Sequence, residues 1–202
     1  MKKEIILHFQ TIDPILASLI EKVGPLTISK STPTDYFVHL CREIIGQQLS
    51  GKVADVIFAR FEKLFSRKKI TPQTVLKFSE EMLRSTGMSW SKTRFIRDLA
   101  HTVVNKDIHL KELVEKSNEE VIKELTKIKG IGPWTAEMFL MFTLGREDVF
   151  SHGDLGLKRA IQNLYDFKKE PTRKQIEKIS RKWSPYRTYA CRILWSSLDQ
   201  KA

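Results

Sequence analysis

Apolar residues recur every three or four positions along most of this chain, which is the period of an α-helix with one buried face. The segment from 32 to 49 shows the pattern with Phe37, Leu40, Cys41, Ile44 and Ile45. The same period continues in the segments 51–65, 79–87, 91–104, 121–128, 134–144 and 176–183. The pattern therefore predicts an all-α fold that is built from many short helices.

Residues that cap helix N-termini precede several of these segments. They are Thr34, Ser50, Thr71, Ser117 and Thr172. The last two are followed three positions later by Glu120 and Gln175, which is the spacing of a capping box. The first ten residues lack such a start, and both a strand and an extended arm fit them.

Composition and charge narrow the class of partner. The chain has 202 residues, of which 41% are hydrophobic and 29% charged, as expected of a soluble globular protein with one domain or two small lobes. The formal net charge of +11 favours a polyanionic partner such as nucleic acid, although a merely basic soluble protein has the same composition. Only Cys41 and Cys191 are present, which indicates a reducing compartment without a disulfide framework. We find no candidate membrane span or convincing signal peptide.

Residues 128–137, IKGIGPWTAE, place a glycine-rich turn before a new helix. Gly130 and Gly132 permit backbone angles and close approaches that larger residues resist, and Pro133 suits a first helical turn. Ile131 would point inward. Free N–H groups at a helix start, together with the helix dipole, bind anions such as a DNA phosphate. The segment therefore predicts either a phosphate-binding turn or an ordinary tight turn between two helices.

A second element follows the turn at a fixed distance. Twenty residues after Trp134, the segment FSHGDLGLKRAI places Asp154 at an expected helix start. This pairing resembles the helix–hairpin–helix DNA glycosylase superfamily. Five segments between Asp35 and Trp195 resemble, in order, the 3-methyladenine DNA glycosylase II branch. They are EIIGQQLSGKVADVIFARF, GMSWSKTRFIRDLA, IKGIGPWTAEMFLMF, GDLGLKRAI and WSPYRTYACRILW. Two places depart from the pattern. Trp90 replaces a small or polar residue, and the pair His152-Gly153 stands where an acidic or small pair is frequent.

The resemblance implies that Asp154 is the catalytic carboxylate. Cleavage of a glycosidic bond passes through an oxocarbenium-like transition state. A nearby carboxylate can stabilise its positive charge, or it can orient a water molecule that attacks the sugar. An aspartate at a helix start is also a common N-cap, and both roles can coexist. Relatives that cut the strand have a Schiff-base lysine where this chain has Trp134, so a monofunctional glycosylase without lyase activity is implied.

The same resemblance implies residues for the base and for the gap that it leaves. Purines methylated at N3 or N7 are cationic, stack on electron-rich rings and leave as neutral bases. Trp134, Tyr186 and Trp90 are the candidate base pocket, although each aromatic ring also fits a core position. The base must leave the duplex, and Gln48, or else Leu49, is the candidate wedge in the stack. Alternatively, the glutamines of GQQLS satisfy a helix end.

The remaining implications concern DNA contacts and cofactors. The candidate phosphate-binding residues are Lys129, Gly130, Gly132, Thr135 and Lys158. The four closely spaced cysteines of the iron–sulfur branch are missing, so no cluster and no metal held by side chains is expected. The resemblance also allows a monovalent cation on hairpin carbonyls, which side chains cannot reveal.

The resemblance implies two helical lobes with a DNA-binding cleft. One lobe would span about 30–146 and end in the helix–hairpin–helix at about 118–144. The other would combine residues 1–29 with 147–202, and Asp154 would lie at the mouth of the cleft, opposite the wedge.

The implied function is hydrolysis of the N-glycosidic bond of alkylated purines, of the 3-methyladenine and 7-methylguanine type, in base excision repair. The partner would be double-stranded DNA with damaged bases, bound by a monomer in a prokaryotic cytoplasm or a eukaryotic nucleus. A first alternative is a glycosylase for deaminated or oxidised bases, in which His152 would be a candidate for assisting a neutral leaving group. A second is a non-catalytic DNA-binding protein, which would need neither Asp154 nor an aromatic pocket.

Overall fold

A computed structural model of the protein describes residues 1–24, 26–66 and 68–199. Throughout these ranges the regular structure is helical and contains no β-strand, so the predicted all-α class is confirmed. The helices in chain order are α1 (Lys3–Ile12), α2 (Pro14–Ala17), α3 (Ile20–Val23), α4 (Tyr36–Gly46), α5 (Gly51–Lys63), α6 (Pro72–Val75), α7 (Glu80–Arg84), α8 (Trp90–Val104), a 3₁₀ helix (Leu110–Glu115), α9 (Asn118–Leu125), α10 (Pro133–Met138), a π-helical segment (Phe139–Thr143), α11 (Leu155–Leu164), α12 (Arg173–Arg181) and α13 (Arg187–Asp199). No described helix combines the length and apolarity that a membrane span requires.

The chain folds into two compact units. Lys30–Leu144 form one, which we call the continuous unit, and Met1–Ser29 with Gly145–Ala202 form the other, which we call the split unit. Each unit is described by itself.

The N-terminal segment corrects the expectation of a strand or an extended arm, because it forms α1. Ile5 and Phe9 are both fully buried and stand four positions apart, which places them on one face of a helix. The start was missed because Lys2, at the N-cap position, makes no side-chain hydrogen bond to the helix. The apolar spacing was therefore the only indication of a helix here.

The predicted side-chain caps form at three helix starts, those with Thr71, Ser117 and Thr172. Two others differ from the prediction. Helix α4 begins after Asp35 rather than after Thr34, whose hydroxyl donates to the Asp35 carboxylate at 3.4 Å instead of capping the helix. Ser50 occupies the N-cap position of α5 without a side-chain hydrogen bond to it.

Helix α4 is central to the core of the continuous unit. It packs against α5, α8, α10 and the π-helical segment. Its buried face is the predicted one, with Phe37, Leu40, Cys41, Ile44 and Ile45. Helices α6 and α7 pack on α8, and α9 packs on α10.

A buried aspartate joins the two ends of the split unit. The Asp13 carboxylate caps α2 by accepting from the Leu16 amide at 3.1 Å, and it also accepts from the Trp183 indole N–H at 2.8 Å. The Tyr165 hydroxyl donates to the same carboxylate, and burial together with this bond raises the pKa of Tyr165. Helix α13 packs on α11 and α3, so residues from both chain segments form one core.

Candidate active site

The glycine turn lies in the continuous unit between the end of α9 and the start of α10. Ile131 is buried as predicted, with 4% of its surface exposed, and its amide donates to the Ile128 carbonyl at 3.0 Å. Gly130 has a φ of +88°, which disfavours any residue with a side chain. A Cβ at Gly130 would also lie 2.2 Å from the ring of Phe95 on α8. The first glycine is therefore required by the packing of the turn.

Gly132 has a different reason to lack a side chain. It occupies the N-cap position of α10 with a φ of −93°, which any residue can adopt. A Cβ there would meet no atom of the described residues within 4 Å. Because none of these residues requires glycine at this position, the open space is available for a partner that approaches the backbone.

The predicted phosphate-binding side chains differ in their surroundings. Lys129 is exposed beside the turn. Thr135 is buried, with only 3% of its surface exposed, and its hydroxyl accepts a hydrogen bond from the Gln47 side-chain amide at 3.1 Å. A phosphate contact from Thr135 would therefore use its backbone N–H. Lys158 lies in the split unit and pairs with Glu170 at 3.6 Å. The phosphate-binding roles stay predictions.

The predicted wedge residues lie in the loop between α4 and α5, which we call the wedge loop and define as residues 46–50. Gln48 and Leu49 are both exposed, and Gln48 has a φ of +58°. Gln47 instead turns inward, and its side-chain amide donates to the Gly130 carbonyl at 2.9 Å. The side chain of Gln47 is therefore engaged by the distant glycine turn rather than by the helix end that the alternative named, and the exposed Gln48 stays the predicted wedge.

Two of the three candidate pocket aromatics lie in the continuous unit. Trp134 is the second residue of α10 and is 39% exposed. Trp90 is the first residue of α8 and is 41% exposed, but the Arg84 guanidinium covers its ring at 4.9 Å. A cationic base would therefore compete with a cation that already occupies one face of Trp90.

Asp154 lies in the split unit as the N-cap of α11. Its Oδ1 accepts from the Leu157 amide at 2.7 Å and from the Trp195 indole Nε1 at 3.1 Å. Only 8% of the residue is exposed. Asp154 therefore caps the helix, and a second donor from α13 fixes the orientation of its carboxylate.

Trp195 is the residue that sequence reasoning missed. It is half-buried on α13, 41 positions after Asp154, at the end of a segment whose resemblance was recognised without assigning this residue a role. A Cβ at Gly156 would lie 3.0 Å from Asp154 Oδ1 and 3.3 Å from Trp195 Cδ1. The glycine thus leaves room for the contact between tryptophan and carboxylate.

The segment that leads to Asp154 is anchored to the start of α13. Arg187 holds Asp148 with its Nε at 2.6 Å and a second guanidinium nitrogen at 3.0 Å, and the Ser184 hydroxyl donates at 2.8 Å. Burial alone would raise the pKa of Asp148, but these bonds and the Arg187 charge hold it below its usual value. Thr188 bonds to backbone groups of the same segment at 2.6, 2.9 and 3.1 Å.

Tyr186 and His152 also lie in the split unit. The Tyr186 ring packs edge-on against His8 at 5.1 Å and its role in the pocket stays a prediction. His152 packs on Phe150 at 4.8 Å, and its buried Nδ1 has no hydrogen-bond partner among the described residues. Burial lowers the pKa of His152, which favours the neutral ring. Among the described residues, no group of His, Cys, Asp and Glu side chains is arranged to hold a metal ion.

The glycine turn before α10 and, 20 positions after Trp134, the aspartate that caps α11 are the two features on which the resemblance rests. The chain belongs to the HhH-GPD superfamily of base excision DNA repair proteins, whose family model matches residues 41–185. The resemblance inferred from the sequence is therefore confirmed.

Individual relatives match over nearly the whole chain. DNA-3-methyladenine glycosylase 1 from Schizosaccharomyces pombe is 34% identical over 194 residues, covering 95% of this chain and 85% of that protein. The alkylbase DNA glycosidase-like protein mag2 of the same organism is 34% identical over 191 residues, covering 93% and 90%. The solved structure of an S. pombe 3-methyladenine DNA glycosylase in complex with abasic DNA matches with a TM-score of 0.84 and 32% identity, covering 98% of this chain and 97% of that one.

Proposed function

We propose that the chain is a monofunctional DNA glycosylase that hydrolyses the N-glycosidic bond of alkylated purines in duplex DNA and leaves an abasic site. The observation that carries the proposal is the Asp154 carboxylate, which is 8% exposed and held by the Leu157 amide and the Trp195 indole. Family membership and relatives that are named DNA-3-methyladenine glycosylases support it.

The buried carboxylate acts on the sugar. Positive charge develops on the deoxyribose as the bond to the base breaks. A carboxylate in a partly buried setting stabilises that charge more strongly than one in water, and two fixed donors keep it from reorienting during the reaction. Asp154 either stabilises the cation directly or orients the water that attacks it.

The leaving group explains why one carboxylate suffices. A purine methylated at N3 or N7 carries a positive charge and departs as a neutral base, so it needs little protonation. Aromatic faces attract such a cation. Trp134 and Tyr186 are the proposed aromatic contacts of the extruded base, with Trp90 as a third candidate.

The partner is double-stranded DNA. The turn at Gly130 and Gly132 holds one phosphate through backbone N–H groups, which needs no particular base sequence. The net charge of +11 favours binding to the DNA backbone. Trp134 stands where a lyase needs a lysine, so no Schiff base forms and the strand stays intact.

The test compares the unmodified protein with Asp154→Asn on methylated duplex DNA. Asparagine keeps the acceptor oxygen for Leu157 and Trp195 but removes the charge, and we expect base release at least about 100-fold slower with DNA affinity retained. Asp107→Asn, which removes the same charge at an exposed position, is the matched control.

Each other outcome has a defined meaning. Retention of most activity by Asp154→Asn would leave Asp154 as a helix cap only. Strand breaks without alkali would contradict the monofunctional assignment. Retained DNA binding without methylpurine release by the unmodified protein would redirect the search to deaminated and oxidised bases.

A further inference from the structure

The wedge loop is attached to the rest of the continuous unit at two points. At the first, the Gln47 side-chain nitrogen donates to the Gly130 carbonyl at 2.9 Å and to the Thr135 hydroxyl at 3.1 Å. A carbonyl oxygen can only accept, so the amide nitrogen of Gln47 must face it. This contact joins the wedge loop to the glycine turn across 83 positions of sequence.

The second attachment comes from α8. The Lys92 ammonium donates to the Ile45 carbonyl at 2.8 Å and to the Gln47 carbonyl at 2.7 Å. These carbonyls belong to the end of α4, where backbone acceptors lack partners within the helix and a cation is favoured by the helix dipole. Lys92 therefore closes the end of α4 and fixes the peptide that immediately precedes Gln48.

The backbone conformation of Gln48 explains why these two attachments matter. Its φ of +58° is unfavourable for a residue with a side chain and persists only where the surroundings hold it. The Leu49 amide closes the turn by donating to the Gly46 carbonyl at 3.1 Å. The result is an exposed side chain on a backbone that is held from both sides.

The glycine turn is in turn fixed to α8. The Phe95 ring fills the space where a Cβ of Gly130 would lie, at 2.2 Å. Lys92 stands three positions before Phe95 on the same helix. Helix α8, the glycine turn and the wedge loop thus contact one another pairwise within the continuous unit.

We propose that Gln47 and Lys92 are positioning residues for base extrusion, which fix the wedge loop at a set distance from the phosphate-binding turn. This inference rests on the proposed function and extends it. Binding of a phosphate at the turn then delivers Gln48 to a defined place in the base stack. Without the two attachments the loop can relax, and the cost of unstacking a paired base is no longer offset.

The test uses Gln47→Met and Lys92→Met, which keep the side-chain length and remove the donors. Gln73→Met and Lys77→Met, both at exposed positions outside this cluster, are the matched controls. The substrates are duplexes with 7-methylguanine opposite cytosine or opposite an abasic-site analogue, where no base pair has to be broken.

We expect both variants to release the paired base about tenfold more slowly and the unpaired base less than about threefold more slowly. A merely structural role would slow both substrates equally, and that result would overturn the proposal, as would unchanged rates. Thermal unfolding identifies a variant that does not fold, and the other variant then decides because it breaks a different attachment.

A second measurement separates this inference from the proposed function. Fluorescence of 2-aminopurine in an uncleaved duplex reports unstacking without excision. Absence of base release by the unmodified protein counts against the glycosylase activity alone. The positioning proposal then predicts a fluorescence rise with the unmodified protein and a smaller one with both variants, and equal rises or none would overturn it.

Discussion

The two units present their candidate functional groups in opposite ways. In the continuous unit, Gln48, Leu49 and Trp134 are exposed and the chain beneath them is held by hydrogen bonds. In the split unit, the Asp154 carboxylate is buried and bonded directly. Groups that must reach into DNA need access to solvent, whereas a charge that stabilises a cation gains from exclusion of water.

Two carboxylates that are shielded from water, one in each unit, differ in their hydrogen bonds. Asp154 accepts hydrogen bonds from an amide and an indole. Glu43 on α4 has no hydrogen-bond partner among the described residues, and its burial raises the pKa to about 7, although the Arg42 charge acts in the opposite direction. Because Glu43 is buried without such donors, its protonated form is favoured.

The largest effect is expected from Gly130, and the second glycine of the turn, Gly132, serves as its comparison. Gly130→Ala forces a Cβ against Phe95 and into an unfavourable φ, so we expect a loss of about 3 kcal/mol or more in the free energy of unfolding. Gly132→Ala meets open space and should cost less than about 1 kcal/mol while weakening DNA affinity. Denaturant unfolding and binding to an abasic duplex measure the two quantities. Equal stability losses would contradict the separation of packing from partner access.

A pH-dependent effect is expected at Glu43. Its folded pKa of about 7 lies above the ordinary 4.5, so the protonated form stabilises the fold. This contribution to the free energy of unfolding is fully present below pH 4.5 and is lost as the pH rises through 7. Its full size is about 3 kcal/mol. Glu43→Gln should remove the decline, so that above pH 7 the variant unfolds at higher denaturant. Glu62→Gln, at an exposed position, is the control, and an unchanged pH profile for Glu43→Gln would contradict the prediction.

The smallest effect is expected from the indole N–H of Trp195. Trp195→Phe keeps a ring but removes the donor to Asp154, and we expect base release about tenfold slower. Tyr189→Phe removes a hydrogen bond from the same helix to Glu147, at 3.1 Å, and should leave the rate unchanged. Single-turnover excision measures both. Equal rates for Trp195→Phe and the unmodified protein would show that the indole does not orient the carboxylate.

The sequence predicted the features that depend on residues only three or four positions apart. The apolar face of α4 and the capping boxes at Ser117 and Thr172 follow from spacings of three and four, and the structure has them. The α1 helix was missed although Ile5 and Phe9 have that spacing, because no capping residue indicated its start.

Side-chain pairs between distant positions could not be predicted in this way. Trp195 meets Asp154 across 41 positions, and Lys92 meets the Gln47 carbonyl across 45. Nothing local distinguishes these side chains from a core tryptophan or a solvated lysine. The family resemblance located the segments that carry them, but the pairing of side chains required the fold.

The division of the chain also sets an order during synthesis. All residues of the continuous unit, through Leu144, have been translated before the ribosome reaches α13. The split unit needs that last helix and the residues just before it, because Trp183 and Trp195 supply the bonds to Asp13 and Asp154. Since domains form as units while the chain emerges, the continuous unit with its glycine turn can be complete while the Asp154 carboxylate still lacks the Trp195 donor. A nascent chain would therefore complete the proposed phosphate-binding turn before the proposed catalytic carboxylate has all of its hydrogen bonds.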